Sequence, residues 1–95
     1  MKHTITEAEK KEIRGALTYE LEYTWGMYGD TGFDLKRAFD EGYGIVKGFM
    51  AGLRLQYTEE AIRNDGMFGE IDDIWRVYTD RYFEARREAV NKGEL

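Results

Sequence analysis

Carboxylates are the chemically capable side chains of this chain. Glu9-Lys10-Lys11-Glu12 and Glu70-Ile71-Asp72-Asp73 each set two acids one helical turn apart, a spacing with which adjacent helices of an all-α hydrolase can share magnesium. Neither pair faces an apolar stripe cleanly, and nineteen acids in 95 residues produce such spacings by chance. Asp30, Asp34 and Glu41 occupy the first, fifth and twelfth positions of a would-be calcium loop. Gly32 and Leu35 then stand third and sixth, where that loop needs an acid and a glycine, so the match fails. His3 is the only imidazole, which leaves no Glu-x-x-His pair for a dimetal bundle. The chain has no cysteine and no serine, so thiolate zinc sites and the commonest nucleophiles are excluded. The expectation is a protein with no catalytic residue, no metal ligand set and no cofactor.

Charge and aromatics point to binding instead. Residues 15–35 carry four acids and no basic residue, and residues 58–73 carry six acids against Arg63. Both stretches surround glycine-bearing turns, and Phe33 and Phe68 sit within them. Large aromatics beside charged turns suit a contact surface. The candidate partner-binding residues are therefore Asp30, Phe33, Asp34, Asp65, Phe68, Glu70, Asp72 and Asp73. The plainer alternative is that acids gather at helix starts because the helix dipole favours them there. The two stretches share one face only if the short segment at 58–64 carries the chain back across the bundle. Residues 59–64, a glycine turn and a longer helix superficially resemble a helix-turn-helix. The helix that would enter DNA begins with Glu70, Asp72 and Asp73, which would repel phosphates, so direct nucleic-acid binding is not expected.

Two further features stand out. Glu20 falls on a helical wheel between Leu17 and Thr24, which predicts a buried carboxylate linked to Arg or Tyr. Gly44, Gly48 and Gly52 recur every four residues behind the apolar face of the second helix. Such a smooth groove lets another backbone approach closely. The simplest occupant is a helix of the same chain; an external helix, from a second copy or another protein, is the alternative.

The elements that must position these groups read as helices throughout. Thr6 and Glu9 form a capping box, and Ile13, Leu17, Leu21, Thr24 and Tyr28 predict a helix over about 7–28. Asp34 caps a second helix, whose stripe runs Leu35, Phe39, Gly42, Val46, Phe49, Leu53 and Tyr57, with a break at 42–44 as the alternative. A short helix follows Thr58, and a last one spans about 69–91 on Ile71, Ile74, Trp75, Tyr78 and Tyr82. Tyr19, Trp25, Phe33, Phe68 and Phe83 fit these stripes less well. No run alternates with period two over a strand's length.

At 11.1 kDa, with 15% aromatic residues and a net charge of −5, the chain has material for one modest core. The expected fold is a single all-α domain over residues 1–95, a compact bundle of three main helices and one short helix. No apolar leader or membrane-length run is evident, so a soluble cytoplasmic protein is expected. The function expected from these readings is a small acidic protein-binding module. It would act as an inhibitor or adaptor on a basic surface of a nucleic-acid-binding partner. Small acidic proteins of phages and mobile elements offer an analogy of size and charge alone. Self-assembly through the Gly44, Gly48 and Gly52 face, as a homodimer for instance, is the alternative, and a magnesium-dependent hydrolase comes third.

Overall fold

Thr6 has extended backbone, and its hydroxyl accepts a bond from the Glu9 N–H at 3.1 Å while the Glu9 carboxylate accepts from the Thr6 N–H at 3.2 Å. This capping box starts α1 (Glu7–Thr24) where the sequence places it. The computed structural model describes residues 1–30 and 34–94. Past α1 the chain widens into one π-helical turn, Trp25–Gly29, closed by the Asp30 N–H on the Trp25 carbonyl at 2.8 Å. The Asp34 side chain caps α2 (Leu35–Gln56), Thr58 caps α3 (Glu59–Asn64), and Gly66, at φ 70°, turns the chain into α4 (Met67–Asn91).

The three long helices pack mutually in an up-down-up bundle with an envelope of 51 × 18 × 18 Å. α2 runs unbroken through Gly42 and Gly44. The fold is all-α, and no strand forms among the described residues. Residues 2–6 lie across the lower end, where the Lys2 N–H donates to the Gln56 carbonyl and the Thr58 N–H donates to Lys2, both at 3.0 Å. Ile5 is buried there, and its N–H donates to Asp65 at 2.9 Å.

Leu17, Ile62, Met67 and Ile71 fill the lower core. Higher up, Tyr78 of α4 meets Trp25 edge-on at 5.6 Å and stacks on Trp75 at 5.4 Å. Trp75 in turn meets Phe39 and Tyr43 of α2. Trp25 is thus a core residue, against the expectation that it fits the stripe poorly. It lies four residues beyond Leu21, on the same face by helical geometry, and the wide turn seats its ring against Gly29.

The glycines of α2 divide into two kinds. A Cβ on Gly42 would stand 2.6 and 2.9 Å from the Tyr78 ring, whereas one on Gly44, Gly48 or Gly52 would meet nothing within 4 Å. Gly42→Ala should therefore destabilise by roughly 1–2 kcal/mol, overpacking outweighing the gain in helix propensity. Gly48→Ala and Gly52→Ala should each stabilise by about 0.8–1 kcal/mol. Thermal melts check the signs, at about 4–8 °C per kcal/mol for a domain of this size.

Candidate functional site

α3 is six residues long, about 9 Å, and cannot recross a bundle whose α2 is about 33 Å. The two acidic stretches therefore lie at opposite ends. Asp30 lines an upper cleft with Arg81, Glu84 and Glu88. Asp65 and Glu70 hold the lower end, and Asp72 is separated from Glu84 by about 18 Å of α4. A single acidic face uniting them is not formed.

Several of the predicted contact residues have structural tasks. Asp34 accepts from the Arg37 N–H at 3.1 Å as the α2 cap. Asp65 anchors Ile5. Glu70 pairs with Arg14 of α1, joining α1 to α4, while its Oε2 is buried without a partner. Phe68 packs half-buried against the core, under the Arg54 guanidinium at 5.3 Å. Asp72 pairs with Arg76 at 3.1 Å on the surface; Asp30 and Asp73 are exposed. Phe33 lies outside the described residues. Among the described residues, no three His, Asp or Glu side chains are grouped closely enough to hold an ion.

Glu20 is exposed, which corrects the expectation of a buried carboxylate. Its wheel position is right, but α1 meets α2 along the Leu17–Leu21–Thr24 side, and the seam beside Glu20 stays open. The favoured occupant of the glycine face is corrected too. Among the described residues no helix covers Gly44, Gly48 or Gly52, all three exposed, because α4 packs on the opposite flank of α2 through Phe39 and Tyr43.

These two departures share one cause and define one feature. Between α1 and α2 runs an open groove of about 610 Å³. Ile13 and Ala16 of α1 line it with Ile45, Phe49 and Leu53 of α2, and Gly48 and Gly52 form a side-chain-free wall. Tyr19 and Glu20 stand on its α1 rim. At its lower end it continues into a more polar cleft that shares Ile13, Ala16, Phe49 and Gln56 and adds Lys2, Glu9, Glu12 and Tyr57. Glycine spacing and Glu20 both drew attention in the sequence; what joins them is the rotation of α1 about its axis, which only packing sets.

Glu9 closes the lower end. It accepts from Lys2 at 2.8 Å and from the Tyr57 hydroxyl. Lys2, then Tyr57, then Thr6 bring its carboxyl from the ordinary 4.5 down to about 2. The Tyr57 hydroxyl is pushed up to about 12, first by the bond to Glu9 and then by burial. The chain matches no protein-family model, no curated protein and no solved structure.

Because Glu9 is more acidic folded than unfolded, its contribution is complete above pH 4.5 and drains away as the pH falls toward about 2. Lys2→Met should lower stability at pH 7 and narrow the difference between urea midpoints at pH 7 and about pH 3. An unchanged difference would show that the contact carries no proton linkage.

Proposed function

We propose that this protein is a non-enzymatic binding module that takes a protein partner with a basic surface in the groove between α1 and α2. The observation that carries the reading is the groove itself: an apolar floor beside two open glycines, under a rim bearing Glu12 and Glu20. Buried apolar area supplies affinity, and the acidic rim supplies attraction and register. An inhibitor or adaptor acting on a nucleic-acid-binding protein fits this chemistry, since such partners carry basic surfaces. The acidic turns named from sequence then serve as a general negative field rather than as the contact surface.

Self-assembly is the second reading, favoured by the uncovered Gly44, Gly48 and Gly52 face and by Leu55, which is 79% exposed. Sedimentation equilibrium at several concentrations separates the two: a monomer throughout supports the first, and a dimer abolished by Gly48→Leu supports the second.

For the first reading, lysate proteins captured on the wild type should be compared with those captured on Gly52→Leu and Glu20→Lys. Capture should persist at about 0.1 M salt and fail at about 1 M, where the screening length drops from about 10 Å to about 3 Å. It should also fail on both variants. A partner retained equally by wild type and variants would place binding elsewhere on the molecule.

A further inference from the structure

We propose that the occupant of the α1–α2 groove is a single amphipathic helix of a different protein, seated by an apolar stripe and by Lys or Arg side chains along its α1 edge. This deepens the binding-module reading and rests on it. Three observations select that occupant.

The first is the backbone chemistry of the walls. Both are helices, whose N–H and C=O groups are bonded within themselves, so the groove has no row of donors and acceptors for an extended strand. A strand laid on this apolar floor would leave its own polar groups unmet, at a cost a helix avoids.

The second is shape. The α1 wall of the two connected clefts runs from Glu9 to Glu20, and the α2 wall from Ile45 to Gln56. From Glu9 to Glu20 the rise is about 17 Å, which matches about three turns of a helix, roughly eleven residues. Gly48 and Gly52 carry no side chain on the opposite wall, so a helix can seat large apolar groups there at close range.

The third is charge. Glu9, Glu12 and Glu20 line the two connected parts of the groove, and among the described residues that line it Lys2 is the only Lys or Arg, already paired with Glu9. A second copy docking groove to groove would bring like charges together with one committed lysine per copy to offset them. A basic helix meets complementary charge instead.

Three synthetic helices of equal length test the proposal: a Leu stripe flanked by Arg, the same stripe flanked by Glu, and the Arg-flanked sequence with its stripe scrambled. Binding is read by anisotropy, and its location by the amide signals of Gly48 and Gly52 in the labelled protein. The first helix should bind at least about tenfold more tightly than either control, and should lose about tenfold on Gly52→Leu and on Glu20→Lys. Circular dichroism should show both variants helical, since Gly52 has open space around it and Glu20 is exposed. Equal binding of the Arg- and Glu-flanked helices, or undiminished binding to both variants, overturns the proposal. A dimer dissolved by Gly52→Leu overturns it as well, because a second copy then fills the groove. If a lysate partner depends on the groove while the Arg-flanked helix fails to bind, the occupant is not a helix and the module reading survives. If neither binds, both fall.

Discussion

Tyr78 fixes the geometry on which the rest of the bundle depends. Its hydroxyl donates to the Ala38 carbonyl at 2.5 Å, its ring covers Gly42, and Trp25 and Trp75 enclose it from two sides. Burial pushes that hydroxyl up to about 12, so it remains a protonated donor across the physiological range. One side chain of α4 thus grips α2 at a glycine and meets, through Trp25, the π-helical turn that follows α1. The close approach that Gly42 permits draws α4 onto one flank of α2. Once α4 and α1 are both held by this cluster, the outer edge of the α1–α2 seam is left without a third helix to close it.

The same arrangement explains what becomes of the acids. A helix start needs acceptors for its free N–H groups, and a chain end folded back across the bundle needs an anchor. Asp34 and Asp65 meet these needs, and Glu70 ties α4 to Arg14. What remains exposed is divided between two ends that α3 is too short to join. The division leaves the net charge of −5, and with it the negative long-range field of the molecule, unchanged. A single acidic face built from both turns does not form.

The helices were legible in the sequence because their signals are local. The Thr6–Glu9 box, the Asp34 cap and the i, i+3, i+4 stripes each involve residues within a turn or two of each other. Tyr78 and Leu53 were legible as core for the same reason. Glu20 and the open glycines were not, because exposure on a helix depends on how far each helix rotates about its axis when it packs. A wheel places Glu20 beside Leu17 and Thr24 but does not say whether a neighbour closes over that edge. Trp25 was obscured by its proximity to the π-helical turn, whose extra residue breaks the stripe just beyond it.

Gly44, Gly48 and Gly52 carry the functional argument one step further. Each weakens α2 by about 0.8–1 kcal/mol relative to alanine. Packing among the described residues does not return that stability, since nothing lies within 4 Å of a Cβ placed at any of the three. Together they cost roughly 2–3 kcal/mol in a domain whose whole stability is expected to be about 5–15 kcal/mol. A helix under selection for stability alone would replace them at little structural expense, in contrast to Gly42, which Tyr78 requires. Gly48 and Gly52 leave a stretch of α2 with no side chain standing above the groove floor. Bare helix surface beside Phe49 and Leu53 allows another backbone to come close, and among the described residues nothing stands within 4 Å of a Cβ at Gly48 or Gly52. On the groove reading proposed above, contact area gained against a partner would offset the stability that Gly48 and Gly52 cost the free protein.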